Sequence, residues 1–155
     1  MNNFFKKGIT IVELLIIFSV ITILLTIVSF QFSKIREKQV LKNALSDTIS
    51  SINKARAQTL SSLNSSSYGI HFQSDKIIIF KGTIFDNNAT NNETINIIAP
   101  ATISNVTLNG VSANSGDVYF NRLYGVPSQT GTITISTPSF SNTLTISPTG
   151  SVSLN

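Results

Sequence analysis

The stretch from Ile9 to Phe32, Ile-Thr-Ile-Val-Glu-Leu-Leu-Ile-Ile-Phe-Ser-Val-Ile-Thr-Ile-Leu-Leu-Thr-Ile-Val-Ser-Phe-Gln-Phe, decides the fold, because its only charge is Glu13. A helix over such a run of about 24 residues is roughly 36 Å long, slightly more than the ~30 Å hydrocarbon core of a bilayer. A secretory signal peptide has a shorter apolar region and a small-residue cleavage site of the Ala-x-Ala kind, and neither is found here. A core helix of a soluble domain carries a polar face, which this run lacks. Residues 9–32 are therefore read as a membrane span.

No proline or glycine occurs between Ile9 and Leu63, so nothing in the backbone chemistry ends the helix at the membrane edge. Beyond Phe32 the pattern becomes amphipathic. Leu41, Leu45, Ile49, Ile52, Ala55, Leu60 and Leu63 recur mostly at three- and four-residue spacing, with Lys38, Lys42, Asp47, Lys54 and Arg56 largely between them. Residues 9 to about 61 would make a rod on the order of 80 Å long, its first half apolar all round and its second half built to cover something else.

After Leu63 the composition shifts. Ser, Thr and Asn supply about four residues in ten, and apolar residues fall into strand-like alternation. Eight strands are expected: Tyr68 to Phe72, Lys76 to Lys81, Thr94 to Ala99, Thr102 to Leu108, Val118 to Phe120, Thr132 to Ser136, Thr143 to Ser147 and Ser151 to Leu154. Turn signals separate them at Ser74-Asp75, Gly82, Asn109-Gly110, Gly125-Val126-Pro127 and Pro148-Thr149-Gly150. The expected class is α+β, a long N-terminal helix whose amphipathic half packs on a small antiparallel β-sheet head.

With 155 residues the chain has room for one domain and an appendage. The absence of cysteine excludes a disulfide scaffold, a thiolate zinc site and a cysteine nucleophile. The net charge of +4 is unevenly spread: +2 from Lys6 and Lys7, −1 from Glu13, +4 from Lys34 to Arg56, and −1 after residue 60. An isoelectric point near 9.6 would suggest nucleic acid, but residues beyond 60 offer only Lys76, Lys81 and Arg122 to phosphates. Nucleic acid is not an expected partner.

The order Lys6-Lys7-Gly8-Ile9-Thr10-Ile11-Val12-Glu13-Leu14-Leu15-Ile16 resembles the prepilin signature of type IV pilins and type II secretion pseudopilins. The closing order Val118-Tyr119-Phe120, Gly125, Gly131 to Ile135, Thr143 to Ser147 and Gly150-Ser151-Val152 is similar to that of the GspH/FimT group of minor pilins and pseudopilins. The resemblance implies a leader over residues 1–8 with basic Lys6 and Lys7. A prepilin peptidase would cut it between Gly8 and Ile9 and N-methylate Ile9. It further implies a transmembrane assembly helix over residues 9–32, its amphipathic continuation over 33–63 and a β-rich head over 64–155.

The implied partners are the peptidase-methyltransferase, other pilin or pseudopilin subunits, the assembly platform and the bacterial inner membrane. No cofactor, metal or catalytic residue is implied. In this family the first mature residue is usually phenylalanine, and a proline often follows 22 residues into the mature chain; here those places hold Ile9 and Phe30. No kink is predicted at Phe30.

Glu13 has its own physical reading. A carboxylate in an apolar helix costs up to a few kcal/mol near the bilayer centre, so it needs the interface or a cation. Cleavage before Ile9 would create an amine one helical turn away on the same face. The resemblance favours the amine of a neighbouring subunit as the partner that registers assembly. Orientation is contested: Lys34, Arg36, Lys38 and Lys42 outnumber Lys6 and Lys7, which by the positive-inside rule puts the head in the cytoplasm. The peptidase acts on the cytoplasmic face, so the resemblance implies a single-pass chain with its head outside.

Other candidates are weaker. His71, the only histidine, alternates with Ile70 and Phe72 and reads as a structural or exposed residue, with no nucleophile motif beside it. Asp86-Asn87-Asn88 and Asn91-Asn92-Glu93 offer oxygens but lack the alternating acids and central glycine of a calcium loop. Some FimT-like proteins assist DNA uptake through arginines near a C-terminal Gly-Arg; the matching Gly150-Ser151-Val152-Ser153-Leu154 has no basic residue. The expected function is that of a structural filament subunit, with a pilus-tip module for DNA uptake or adhesion as the alternative.

Overall fold

The structure, a computed structural model, describes residues 8–155, without the side chains of residues 28–30. Lys6 and Lys7 lie outside the described residues. The chain divides into two compact units near residue 36. One helix, α1, Ile11–Leu60, contributes to both. It is assigned through Phe30 without interruption.

In the first unit every described side chain from Gly8 to Ile27 and from Gln31 to Arg36 is exposed. This part of α1 is long and apolar enough to cross a membrane. Each large apolar side chain left in water forgoes about 1.5–3 kcal/mol of burial, so a sustained run of them needs an apolar medium.

The second unit is α+β. A short 3-10 turn, Leu63–Ser65, follows α1. Then come β1 (Tyr68–Phe72), β2 (Lys76–Lys81), β3 (Glu93–Asn96), β4 (Thr102–Leu108), β5 (Val111–Ala113), β6 (Gly116–Tyr119), β7 (Gly131–Ser136), β8 (Ser141–Ile146) and β9 (Val152–Leu154). The strands form two sheets where the sequence reading expected one, with orders β3-β2-β1-β6 and β5-β4-β7-β8-β9. All pairings are antiparallel. Alternation tells which face of a strand is buried, and it carries no information about which strand pairs with which.

The amphipathic face of α1 joins the apolar residues of both sheets in one core. Leu41, Ala44, Leu45, Ile52 and Ala55 pack with Ile70, Phe72, Val106, Ile133, Ile135, Leu144 and Ile146. Leu60 and Leu63, expected on this face, are instead 48% and 43% exposed. Thr59 takes the buried place because it lies one turn beyond Ala55, whereas Leu60 is rotated a further ~100°. The Thr59 hydroxyl donates to the Ala55 carbonyl at 2.9 Å and accepts from the Tyr68 N–H at 2.8 Å, tying the helix end to β1.

Strand bounds also shift. β3 is confined to Glu93–Asn96; the Ile97 N–H still donates to the Asp75 carbonyl at 2.8 Å, in register with the β2–β3 pairing, before the chain turns at Ala99-Pro100. Phe120 leaves β6 for an isolated bridge to Pro127. β5 was not expected. Asn109 (φ 48°) and Gly110 (φ 82°) make the left-handed pair of a two-residue hairpin, which folds Val111–Ala113 back on Val106–Leu108.

Candidate functional site: the start of the long helix

Gly8, Ile9 and Thr10 precede α1 in non-helical conformation, all exposed, with open space where a Gly8 side chain would lie. Thr10 ends the irregular segment. Its hydroxyl accepts from the Glu13 N–H at 3.2 Å, and its carbonyl accepts from the Leu14 N–H at 3.1 Å. Thr10 is thus the N-cap, and Thr10-Ile11-Val12-Glu13 has the spacing of a capping box. Sequence reading missed this cap, although threonine three residues before a glutamate is its signal.

Glu13 lies exposed in the first turn of α1. There the unpaired N–H groups present the positive end of the helix dipole, which favours a carboxylate by about 0.3–1 kcal/mol. That compensation is smaller than the cost of burying the charge in hydrocarbon, so a cation is still required in an apolar medium. Gly8, Ile9 and Glu13 fall within a single exposed segment at the N-terminal edge of the apolar stretch.

Three described hydroxyls inside that stretch are satisfied locally. Ser19 donates to the Ile16 carbonyl, Thr22 to Phe18 and Thr26 to Thr22, each at 2.8 Å. Side chains bonded to their own helix present no unsatisfied donor to lipid or to another helix.

Elsewhere the candidates have partners within the fold. His71 Nδ1 pairs with Asp117 Oδ1, and its ring stacks on Phe85 with centroids 4.0 Å apart. Asp117 sits opposite His71 in the β1–β6 register, a neighbour that linear spacing does not reveal. The Asp86 carboxylate accepts from the Asn88 N–H at 2.9 Å, and Glu93 pairs with Lys54 at 2.5 Å. Among the described residues no group of three or more His, Asp or Glu side chains gathers at one point.

Among the described residues, Arg56 of α1 is the basic side chain that meets the turn at Gly150. Arg56 donates from Nε to the Gly125 carbonyl at 3.1 Å and from Nη2 to the Thr149 carbonyl at 3.0 Å. Gly150 has φ +79°, and a Cβ there would stand 2.5 Å from the Gly125 carbonyl oxygen, so the two loops close around Arg56 only with glycine at this position.

No family model matches the sequence, and no curated protein or solved structure matches it either.

Proposed function

We propose that the chain is a structural subunit of a type IV pilus or of a type II secretion or competence pseudopilus, of the minor pilin or pseudopilin kind. The reading is carried by one observation: Lys6-Lys7-Gly8-Ile9 precedes, and Glu13 sits in the first turn of, an apolar helical stretch whose described side chains are all exposed. The α+β head on the second half of α1 agrees with a pilin-like layout.

In this reading the chain enters the bacterial inner membrane through residues 9–32, with its head outside the cytoplasm. A prepilin peptidase reaches the exposed, non-helical Gly8-Ile9 bond and cuts it, and the new Ile9 amine is methylated. Removing the leader takes Lys6 and Lys7 away and leaves one cation beside the helix start. That amine neutralises Glu13 of a neighbouring subunit as the apolar helices leave lipid and bundle. The exchange replaces lipid contact by helix contact, so the charge pair, more than apolar burial, sets the register.

Coexpression with a prepilin peptidase, followed by intact-mass measurement, tests this. The expected product lacks residues 1–8 and carries one added methyl, whereas Gly8→Val stays full-length. A chain left uncut, or cut at another bond, or cut equally well in Gly8→Val, would refute the reading.

A further inference from the structure

Four asparagines, Asn64, Asn88, Asn92 and Asn105, begin an Asn-x-Ser/Thr triplet, the acceptor pattern for N-linked sugar. In a chain this rich in Ser, Thr and Asn the pattern recurs by chance, and only the fold separates one triplet from another. Asn105 lies within β4, which is paired on both sides by β5 and β7. Its Nδ2 donates to the Thr107 hydroxyl at 3.1 Å, and its Oδ1 accepts from the Ser112 hydroxyl at 2.6 Å. Asn92 donates from Nδ2 to the Asp86 carbonyl at 2.7 Å, its Oδ1 is buried, and its hydroxyl partner Thr94 is fixed in β3. Asn64 donates from Nδ2 to the Tyr68 hydroxyl at 3.4 Å, while the Ser66 hydroxyl turns back to the Asn64 carbonyl at 3.2 Å.

Asn88 differs on each count. It belongs to the loop of residues 82–92 between β2 and β3, where Asp86, Asn88 and Thr90 are all exposed. Among the described residues, neither the Asn88 carboxamide nor the Thr90 hydroxyl has a hydrogen-bond partner. The turn is held by Asp86, whose Oδ1 accepts from the Asn88 N–H at 2.9 Å and whose carbonyl accepts from the Ala89 N–H at 3.2 Å. A carboxylate, a free carboxamide and a free hydroxyl thus occupy alternate positions of one exposed turn. Two residues before Asn64, Asn92 and Asn105 stand Ser62, Thr90 and Ile103, none of them acidic.

We infer that Asn88 is the acceptor of an N-linked oligosaccharide, with Asp86 and Thr90 as its recognition residues. The co-substrate is a lipid diphosphate-linked oligosaccharide. Asn88 Nδ2 forms a bond to C1 of the first sugar as the bond from C1 to the phosphate oxygen breaks. The lipid diphosphate leaves with the electron pair, the amide proton passes to a base of the transferase, and nothing is oxidised or reduced. A surface loop can bend into an enzyme cleft without disturbing the strands beside it, whereas Asn105 would first have to leave its ladder. The Thr90 hydroxyl fixes the triplet by a hydrogen bond, and the Asp86 charge offers a basic groove a charge-assisted one. The attached sugar is bulky and hydrophilic and keeps this loop in water. This rests on the reading above that the head lies outside the cytoplasm, and adds a covalent modification to it.

The full chain would be expressed in a bacterium carrying an oligosaccharyltransferase and a lipid-linked oligosaccharide of known mass. The tryptic peptide of residues 82–122, which follows Lys81 and ends at Arg122, should gain one oligosaccharide, placed on Asn88 by fragmentation. Asn88→Gln and Thr90→Ala should lose it, and Thr90→Ser and Asn64→Gln should keep it. Asp86→Asn retains an oxygen for the Asn88 N–H but removes the charge, and should lower occupancy at least about tenfold. The chain has no cysteine, so Asn114→Cys, exposed in the bend between β5 and β6, reports the side of the membrane through a membrane-impermeant maleimide on intact spheroplasts.

A chain labelled at Asn114→Cys but carrying no sugar would overturn the inference and leave the head outside the cytoplasm. Sugar on Asn64, Asn92 or Asn105 in place of Asn88 would overturn it too. Unchanged occupancy in Asp86→Asn would strike Asp86 from recognition. A chain neither labelled nor modified would remove the placement of the head and this acceptor site with it.

Discussion

Ile52→Ala tests whether the second half of α1 holds the head together. Ile52 is fully buried on the helix face that meets both sheets. Truncation to a methyl removes carbons worth about 0.8 kcal/mol each, roughly 2.4 kcal/mol in all. The cavity left among rigid strands raises the loss to about 3–4 kcal/mol. With a urea dependence of about 2 kcal/mol per molar, the unfolding midpoint should fall by roughly 1.5–2 M. The chain has three tyrosines and no tryptophan. Tyr68 is buried at the junction of α1 and β1, so near-ultraviolet circular dichroism of the full chain in detergent follows this junction. Ile16→Ala, in the exposed apolar part, should leave the midpoint unchanged. A loss below about 1 kcal/mol for Ile52→Ala, or an equal loss for Ile16→Ala, would refute the packing described here.

Arg56→Met removes two hydrogen bonds to loop carbonyls and should cost about 1–3 kcal/mol. Hydrogen exchange should speed up together in residues 121–127 and 147–151; acceleration of one loop alone would contradict the shared anchor. Lys54→Met breaks a surface pair whose side chains are 49% and 47% exposed, and the unfolding midpoint should report a change of only about 0–1 kcal/mol. Glu13→Gln should leave cleavage after Gly8 intact by mass while filament yield in the sheared fraction falls at least about tenfold; unchanged yield would remove Glu13 from assembly.

The long helix was legible because nothing between Ile9 and Leu63 breaks one, and the composition change at Leu63 marks where it ends to within a few residues. Its buried face was less so: a leucine outranks a threonine by hydropathy, yet Thr59 is buried because its hydroxyl finds the Ala55 carbonyl and the Tyr68 N–H. The hairpin at Asn109-Gly110 was visible as a turn, but a three-residue strand after it is too short to show a period. Division into two sheets is a matter of long-range pairing, which no local pattern encodes. Likewise Arg56 meets Thr149 and His71 meets Asp117 across 93 and 46 residues of sequence. The segment from Gly8 to Glu13 is different: its chemistry is local, so the sequence alone exposes it, and the structure adds the Thr10 cap.

The amino terminus of the chain recovered from sheared filaments or from the membrane fraction tests the central claim most directly. Sequencing of that chain should begin at N-methylated Ile9, with Thr10 and Ile11 following. A chain that still begins at Met1 in the assembled fraction would contradict it.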